Sequence, residues 1–531
     1  MEIKPSHILS CYFRGVAKLK LKDYAGAIED FSKVIEIDNN DACAYCNRGN
    51  AKQGLKDYTN AVEDYNKAIE IDNNNVYAYC NRGSAKQVLK DYVGANEDFS
   101  KAIEIENNFS EAYCNRGNVK QILKDYVGAI EDFSKVIEID NNNARAYSNR
   151  GNAKQKLKDY INAIEDYNKA IEIDKNFVNA YCNRGHAKRL LKDYMGANED
   201  FSKAIEVDNN FPEAYNGLGI IKKELKDYAG AIEDYCKAIE IDKNYVNAYF
   251  NRGNVKQILK DYVGAIEDYC KAIEIDKNYV NAYFNRGNVK QILKDYVGAM
   301  EDFSKAIEIE NNDARDYCNR GIAKQNLKDY VGAIKDYNKA IEIDNNFFEA
   351  YNNRGFAKSA IKDCTGAMED YNRAIEIDNN YSAPYNNRGN EKQILKDYVG
   401  AIEDYNKAIE IDNNFSSAYF NRGNVKQNLK DYVGAIEDYN KAIEIDNNFS
   451  GAYNNRGFAK SAIKDYTGAI EDYNRAIEID NNFFEPYSNR SNTEQKLKDF
   501  SSPDEDCFKA IEIDNNFSYK LVSIAVTKKT K

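Results

Sequence analysis

The chain has 531 residues, of which 43% are hydrophobic and 30% charged, and its formal net charge at pH 7 is −12. This negative balance argues against nucleic acid and anionic membranes as partners, because both attract basic surfaces. No segment approaches the roughly 18 consecutive apolar residues of a transmembrane helix, so no membrane-spanning segment is predicted. The first residues, MEIKPSHILSCYF, also lack the basic lead and apolar core of a secretion signal.

Internal repetition dominates the rest of the chain. After a leader of residues 1–7, the sequence of residues 8–517 consists of fifteen repeats of 34 residues without insertion or deletion. Arginine recurs at this period from Arg14 onward, and only repeat 7 replaces it, with Leu218. Residues 518–531 are expected to form a capping helix and a basic stub. The chain is therefore predicted to be one repeat array instead of about three or four ordinary domains.

Each repeat contains two helical patterns, and repeat 2 (residues 42–75) represents them; its residue numbers name the corresponding positions of all repeats below. Side chains recur at spacings of three and four, which is typical of one face of a helix, and no alternation of period two indicates a strand. The residues with this spacing are Tyr45, Arg48, Gly49, Lys52 and Leu55 in the first helix and Tyr58, Ala61, Val62, Tyr65, Ala68, Ile69 and Ile71 in the second. The short connection LKDYTN predicts an antiparallel helix pair, so the fold is expected to be all-α.

The repeat resembles the tetratricopeptide repeat (TPR), a unit of the same length with aromatic, Gly, Tyr and Ala residues at fixed positions. The residues that match this pattern in place are Tyr45, Gly49, Tyr58, Ala61, Tyr65 and Ala68. The resemblance extends over residues 8–517. It implies a right-handed superhelical α-α solenoid of antiparallel helix pairs, a concave groove lined by the first helices, and a function in binding peptides or proteins.

Arg48 departs from the family pattern, because it occupies a position where the family carries an apolar residue. A buried guanidinium without a partner would be strongly destabilising. Asp64 stands sixteen residues later, and aspartate occupies its position in all fifteen repeats. We therefore expect structural ion pairs between Arg48 and Asp64 and, in repeat 8, between Arg252 and Asp268.

Two further positions are interpreted in the same way. Lys52 replaces a tyrosine of the family pattern, and its stem is expected to lie on the core while its ammonium stays in water. In repeat 7, where Leu218 replaces the arginine, Asp234 is expected to turn to solvent or to another donor.

Enzyme chemistry is not expected. The two histidines, His7 and His186, lie 179 residues apart in a one-dimensional stack, so they cannot form a dyad or share a metal. His186 is interpreted as an incidental polar side chain facing the groove. No catalytic residue, metal site or cofactor is therefore predicted.

The eleven cysteines are expected to be free thiols. Neighbouring helices pack about 8–10 Å apart, whereas a disulfide needs Cα atoms closer than about 7 Å. Cys43 and Cys46 form a single CxxC without a second pair, which is a weak signal for a metal or redox site. Free thiols are typical of a reducing compartment, so a cytoplasmic, intracellular location is predicted.

The predicted groove carries rows of carboxamides. Asparagine occupies the Asn47 position in thirteen of the fifteen repeats, and partial rows follow at the Asn50 and Gln53 positions. The spacing of three residues places all three rows on one face of the first helices. The candidate groove residues of the first row are Asn47, Asn81, Asn115, Asn149, Asn183, Asn251, Asn285, Asn319, Asn353, Asn387, Asn421 and Asn455, and those of the second row are Asn50, Asn118, Asn152, Asn254 and Asn288.

A row of carboxamides offers both donors and acceptors, so it could hold the backbone of an extended peptide whatever its side chains. The resemblance supports this interpretation, since TPR proteins with such an asparagine ladder hold extended peptides in this way. The alternative is that the asparagines hydrogen-bond neighbouring residues and stabilise the stack. Phe250 and Phe284, beside the amide rows, are expected to add exposed aromatic anchors.

The predicted function is a non-enzymatic scaffold that binds an extended peptide or protein segment. The alternative is an architectural spacer or assembly subunit without a groove ligand, which near-identical repeats favour. Neither interpretation determines the oligomeric state. Repeat 7 interrupts the arginine and amide rows together. It is interpreted either as a seam between two binding segments or as the result of sequence drift.

Overall fold

The structure is a computed structural model that describes residues 5–497 and 503–513. The described residues fall into two compact units, which meet in sequence between Ile275 and Asp276. The capping helix and basic stub predicted for residues 518–531 lie outside the described residues.

Helices make up nearly all of the described chain, which contains no strand in either of its two ranges. In the N-terminal unit the helices are α1 (Pro5–Lys20), α2 (Tyr24–Ile37), α3 (Ala42–Gly54), α4 (Tyr58–Ile71), α5 (Val76–Val88), α6 (Tyr92–Ile105), α7 (Ser110–Ile122), α8 (Tyr126–Ile139), α9 (Ala144–Lys156), α10 (Tyr160–Ile173), α11 (Val178–Leu190), α12 (Tyr194–Val207), α13 (Pro212–Glu224), α14 (Tyr228–Ile241), α15 (Val246–Ile258) and α16 (Tyr262–Ile275). In the C-terminal unit they are α17 (Val280–Ile292), α18 (Tyr296–Ile309), α19 (Ala314–Asn326), α20 (Tyr330–Ile343), α21 (Phe348–Ala360), α22 (Cys364–Ile377), α23 (Ser382–Ile394), α24 (Tyr398–Ile411), α25 (Ser416–Asn428), α26 (Tyr432–Ile445), α27 (Ser450–Ala462), α28 (Tyr466–Ile479), α29 (Phe484–Leu497) and α30 (Pro503–Ile513). Odd numbers denote the first helix of a repeat and even numbers the second, and α1 already begins within the predicted leader.

Consecutive helices pack as antiparallel pairs. In repeat 2, Arg48 contacts Asp64 of the second helix. Lys52 lies one turn after Arg48 in the first helix, and it contacts the backbone of Asn60, which lies one turn before Asp64 in the second helix. Within each unit, the second helix of a repeat also packs on the first helix of the following repeat. Each unit is therefore an α-α solenoid, which confirms the predicted fold class.

The turn inside each pair ends one helix and begins the next. In repeat 2 the backbone N–H of Lys56 donates to the carbonyl oxygen of Gln53 at 2.9 Å, and the N–H of Asp57 donates further back into α3 at 3.0 Å. These two bonds form the Schellman pattern of a helix end, with Lys56 in the left-handed region at a φ of 64°. The Asp57 side chain then accepts a hydrogen bond from the N–H of Asn60, which caps α4.

The two helices of a pair approach closely because a glycine faces an aromatic ring. A Cβ atom at Gly49 would lie 2.7 Å from Cε1 of Tyr65, so no larger residue fits without displacing the ring. Tyr65, Ala61 and Ala68 are fully buried. Burial of this apolar surface stabilises each pair.

A buried carboxylate joins the two helices of a pair. Arg48 Nε and Nη2 donate to the two carboxylate oxygens of Asp64 at 2.9 and 2.7 Å, and Asp64 is only 3% exposed. Lys52 does not extend into water as expected, because its Nζ lies 2.8 Å from Asp64 Oδ2. Arg252 and Asp268 of repeat 8 form the same ion pair at 2.6 Å. Arginine and lysine together therefore compensate the buried carboxylate.

The same arginine also contacts the preceding repeat. Arg48 Nη1 donates to Ser32 Oγ at 3.2 Å, and its guanidinium carbon lies 5.4 Å from the centre of the Tyr45 ring. In the C-terminal unit, Arg422 Nη1 donates in the same way to Asn406 Oδ1 at 2.6 Å. The guanidinium thus stabilises both the helix pair and the stacking of pairs.

Repeat 7 lacks the arginine, and its aspartate takes another donor. Asp234 is 3% exposed and lies 2.7 Å from the Nζ of Lys222. Burial raises the pKa of Asp234, and the ammonium of Lys222 opposes that shift. Helices α13 and α14 still pack against both neighbouring repeats, so the stack continues through repeat 7.

A second kind of buried carboxylate is found in repeat 10. Asp316 occupies the Ala44 position, is 1% exposed, and has no hydrogen-bond partner for Oδ1 in the described chain. Burial raises the pKa of Asp316 to about 7, and the charge of Asp313 adds to this shift while Arg315 opposes it. Repeat 10 therefore carries a titratable group where most repeats carry alanine.

Removing the charge of one shared carboxylate should destabilise its repeat. Asp438 is 3% exposed and lies 2.5 Å from Arg422 and 2.9 Å from Lys426. Asp438→Asn leaves two buried cations without a counter-charge, so we expect a loss of about 3 kcal/mol in local stability. Hydrogen exchange of the amides of α25 and α26 measures this, because repeat arrays open locally.

The matched control is Glu444→Gln, which removes the exposed partner of Lys441. Exposed pairs contribute at most about 1 kcal/mol, so this variant should exchange almost as the wild type does. Equal protection in Asp438→Asn and Glu444→Gln would contradict a stabilising role for the shared carboxylate.

Asp316 should make repeat 10 sensitive to pH. Its pKa in the folded protein lies above the ordinary value of 3.8, so the folded protein binds this proton more tightly than the unfolded chain. The contribution of this proton to the free energy of unfolding is fully present below about pH 4 and is lost as pH rises through about 7. We expect Asp316→Ala to remove this dependence and to stabilise repeat 10 at alkaline pH by on the order of 2 kcal/mol.

Hydrogen exchange of α19, corrected for the intrinsic effect of pH, provides the measurement. Asp316→Asn is the control, because it keeps the shape of the side chain but cannot titrate, so it should lose the pH dependence and retain a buried polar group. If wild type and Asp316→Asn respond to pH identically, the carboxyl of Asp316 does not titrate as described.

Candidate functional site

Three rows of side chains on the first helices form the surface that we call the amide face. It consists of the Asn47, Asn50 and Gln53 positions, each three residues from the next. These three side chains are half-buried in repeat 2, so each presents part of its carboxamide to solvent.

The asparagines of the first row donate hydrogen bonds to the preceding repeat. Asn81 Nδ2 donates to Asn50 Oδ1 at 2.8 Å, and Asn421 Nδ2 donates to Asn386 Oδ1 at 3.0 Å. Bonds to oxygen acceptors are also made by Asn47, Asn149, Asn251, Asn319, Asn387, Asn455 and Asn489. In each of these bonds the acceptor lies at the Cys46 or the Asn50 position of the preceding repeat. This arrangement corresponds to the stack-stabilising alternative for the donor groups.

Some members of the row lack an oxygen acceptor. Asn115 Nδ2 lies 4.0 Å from Cys80 Sγ, and Asn353 Nδ2 lies 3.9 Å from Cys318 Sγ, which are weak contacts. Asn183 makes no side-chain hydrogen bond to any described residue. The strength of the connection between repeats therefore varies along each unit.

Buried tyrosine hydroxyls hold the second and third rows. Tyr65 Oη donates to Asn50 Oδ1 or Gln53 Oε1, which lie at 2.8 and 3.0 Å. The same pair of contacts is made by Tyr167, Tyr269, Tyr405 and Tyr439 in their repeats. Sequence reasoning missed this connection. The available signal was that a buried tyrosine hydroxyl needs a partner.

Several asparagines of the first row keep an acceptor that no described residue uses. Asn81, Asn149 and Asn421 donate through Nδ2, but their Oδ1 atoms accept no hydrogen bond. The internal bond restricts the rotation of the carboxamide, so these oxygens are held in defined positions. A row of oriented acceptors can bind a chain of N–H donors with little loss of side-chain entropy.

The aromatic residues on this face differ from the expected anchors. Phe250 and Phe284 are half-buried, with ring centres 6.0 Å from those of Tyr269 and Phe303. Their role as anchors stays a prediction, with each ring only partly accessible to solvent. The reason is that the Cys46 position points between the two helices of the pair.

Two other phenylalanines are exposed on the amide face. Phe356 and Phe458 occupy the Asn50 position and are 46% and 44% exposed. Phe458 lines a depression between α27 and α29, together with Tyr473, Asn489 and Asn492. Their signal in the sequence is a phenylalanine where other repeats carry a partly exposed asparagine.

The titratable groups near this face are not set up for catalysis. His186 packs with its ring edge-on to Phe201, 4.9 Å between centres, and burial lowers the pKa of His186 to about 4, so the ring is neutral. Burial raises the pKa of the Cys46 and Cys80 thiols to about 11 and about 12. No group of three His, Cys, Asp or Glu side chains in the described ranges could hold a metal ion.

Comparison with known families agrees with the helix pairs and their register. Sequence models described as Tetratricopeptide repeat match residues 42–75, 110–143, 144–177, 178–211, 280–313, 348–381, 416–449 and 450–483. A model described as TPR repeat matches residues 15–56, 221–257, 258–291, 327–361 and 394–430. The chain belongs to the tetratricopeptide repeat family.

Three solved structures are similar to this chain at low sequence identity. The Cut9–Hcn1 hetero-tetramer of APC/C is 16% identical, with 88% of this chain and 92% of that chain covered and a TM-score of 0.45. Yeast Tom70 is 20% identical, with 80% and 96% covered and a TM-score of 0.37. A tetratricopeptide repeat protein from Parabacteroides merdae is 21% identical, with 48% and 97% covered and a TM-score of 0.39. No relative was found among curated protein sequences.

No helix in the described part of this TPR chain is both long enough and apolar enough to cross a bilayer.

The tyrosine hydroxyls should be needed to hold the amide rows. Tyr405 Oη lies 2.8 Å from Asn390 Oδ1 and 3.0 Å from Gln393 Oε1. Tyr405→Phe removes this donor from both amides, so we expect repeat 12 to lose about 1 kcal/mol of stability. Nuclear magnetic resonance of the side-chain amides should also show greater mobility of Asn390 and Gln393.

The control is Tyr398→Phe, because the Tyr398 hydroxyl makes no hydrogen bond to a described residue. This variant should leave both the stability of repeat 12 and the amide signals unchanged. The interpretation fails if Tyr405→Phe behaves like Tyr398→Phe.

Proposed function

We propose that this TPR protein is a non-enzymatic scaffold that binds an extended segment of a partner protein along the amide face. The observation that carries the proposal is the combination of oriented, unused acceptors with exposed phenylalanines on one surface. Asn81 and Asn421 supply such acceptors, and Phe356 and Phe458 supply apolar side chains.

An extended peptide has the chemistry that this surface requires. Its backbone N–H groups can donate to the asparagine oxygens, which gives affinity without a requirement for particular side chains. Phe356 and Phe458 can bury an apolar side chain of the segment, since aromatic residues are typical binding anchors. Asn50, Asn118, Asn152, Asn254 and Asn288 are proposed to line the same surface as a second row of contacts.

The internal hydrogen bonds of the first row limit which asparagine N–H groups a ligand can use. Asn387 and Asn421 spend an N–H on the preceding repeat, so contacts to peptide carbonyls must come from their second N–H. These internal bonds, and the similarity of the repeats, also suit an architectural spacer. The exposed phenylalanines favour the binding function, because a spacer does not require them.

The net charge and the cysteines bear on the ligands and the cellular location of such a scaffold. The net charge of −12 disfavours nucleic acid and anionic membranes as ligands. Ten described cysteines are free, which fits an intracellular, reducing location such as the cytoplasm.

A peptide array probed with the full chain tests the proposal. Wild-type protein should capture a set of peptides, and Phe356→Ser combined with Phe458→Ser should weaken their binding on the order of tenfold or more. The substituted side chains are nearly half exposed, so folding should be preserved, which circular dichroism verifies. Replacing the oriented acceptors, with Asn81→Ala and Asn421→Ala, should weaken all captured peptides alike.

Asn345→Ala is the matched control, since Asn345 is exposed on the connection between repeats and makes no side-chain hydrogen bond. It should capture peptides as the wild type does. A wild-type chain that captures no peptide would favour the spacer instead. Unchanged affinity in the phenylalanine variant would exclude the amide face as the binding surface.

A further inference from the structure

A stripe of exposed apolar side chains follows the turns inside the helix pairs. We call this surface the turn edge; it consists of the Leu55, Lys56, Asp57 and Thr59 positions, and seven of the fifteen repeats carry valine at the last. In repeat 13, Leu429 is 51% and Val433 is 62% exposed. In repeat 12, Leu395 is 58% and Val399 is 70% exposed. Most of the large apolar side chains that the described chain exposes lie on this edge.

The turn edge is distinct from the amide face. Leu429 directly follows α25 and Val433 is the second residue of α26, so both lie at the end of the helix pair. Adjacent turns lie side by side within a unit, because a Cβ atom at Gly54 would lie 2.4 Å from the Tyr24 ring of the preceding repeat. Each unit therefore presents its apolar side chains as one stripe, which neither the core nor the proposed peptide site uses.

The lysine of each turn is not explained by the fold. Lys430 has a φ of 66°, and its counterparts from Lys22 to Lys464 share this left-handed conformation. The conformation is unfavourable for most non-glycine residues, so glycine or asparagine would suit the turn better. Within the described ranges, none of these fourteen lysines forms an ion pair. Retention of a strained, unpaired lysine at every turn indicates a function outside the repeat.

The charges of the turn edge are balanced and adjacent. Asp431 follows Lys430, and its Oδ1 accepts the N–H of Gly434 at 3.0 Å, which leaves Oδ2 available. Each of the fourteen described turns therefore offers one ammonium and one carboxylate beside an exposed leucine or isoleucine, and seven of these turns add a valine. A surface with equal numbers of both charges does not suit an anionic membrane or nucleic acid, which bind basic surfaces.

We propose that the turn edge binds the turn edge of a second copy of this chain. Two-fold pairing brings the same stripe from both copies together in opposite directions, so the spacing of the apolar side chains matches by symmetry. In this arrangement the lysines of one copy face the aspartates of the other, and the leucines and valines form an apolar seam. Edge pairing leaves the amide faces of both copies free, so it is independent of the proposed peptide binding.

Sedimentation equilibrium of the full chain over a wide concentration range tests the pairing. The wild type should form a reversible dimer. The combined substitutions Val331→Glu, Val399→Glu and Val433→Glu should raise the dimer dissociation constant on the order of tenfold or more, because they place like charges in the seam. Glutamate near a helix N-terminus favours the helix, so these variants should fold.

The matched control adds the same three charges to the connections between repeats, as Asn345→Glu, Asn413→Glu and Asn447→Glu. It should dimerise as the wild type does. A wild type that stays monomeric at every concentration overturns the proposal, as does a valine variant that dimerises as well as the control. Binding of some other protein by a monomeric wild type would overturn it equally.

A second set of substitutions tests the lysines. Lys328→Gly, Lys396→Gly and Lys430→Gly relieve the left-handed strain, so together they should raise the melting temperature of the chain. They also remove the cations of the seam, so they should weaken the dimer at least several-fold. Higher thermal stability with an unchanged dissociation constant would overturn the pairing of lysine with aspartate.

Discussion

The buried carboxylate at the Asp64 position, held by an arginine and a lysine of the facing helix, determines how each repeat is organised. It lies where a simple apolar contact would have joined the two helices, and at 3% exposure it needs at least one of these cations, since Asp234 of repeat 7 is paired with Lys222 alone. Because Asn47 immediately precedes Arg48, orienting the guanidinium toward the second helix also determines which face carries the asparagine. The candidate binding surface therefore depends on an electrostatic contact that it does not include.

Two sets of hydrogen bonds then connect one repeat to the next, and both run in the same direction. Arg48 Nη1 donates to Ser32, and Asn81 Nδ2 donates to Asn50, each toward the N-terminus. Without these bonds, the same polar groups would be hydrated by solvent. Because the groups bond to the preceding repeat instead, the stacking of repeats also orders the amide face. The face is held by fewer bonds around Asn183, whose side chain makes no such bond to a described residue.

The helix pairs and the Arg–Asp pattern could be predicted from the sequence, because a strict period makes the spacing between positions unambiguous and aspartate recurs with it. The partners of the asparagines could not, since they depend on which of two neighbouring positions in the preceding repeat carries an oxygen. The exposure of the aromatic residues could not be predicted from the sequence either. Phe250 and Phe356 occupy positions about one turn apart, yet the second is the more exposed, because the first points between the helices.

The direction of these bonds has a consequence for the length of the array. Most repeats donate backward from their arginine and asparagine and accept from the repeat that follows. A duplicate of a repeat that carries both donors and an oxygen at the Cys46 or the Asn50 position would therefore find a matching acceptor when it is inserted beside the original. Recombination between near-identical segments could lengthen or shorten such a chain without creating an unsatisfied junction, so the number of repeats is free to evolve with the distance or ligand length that selection requires.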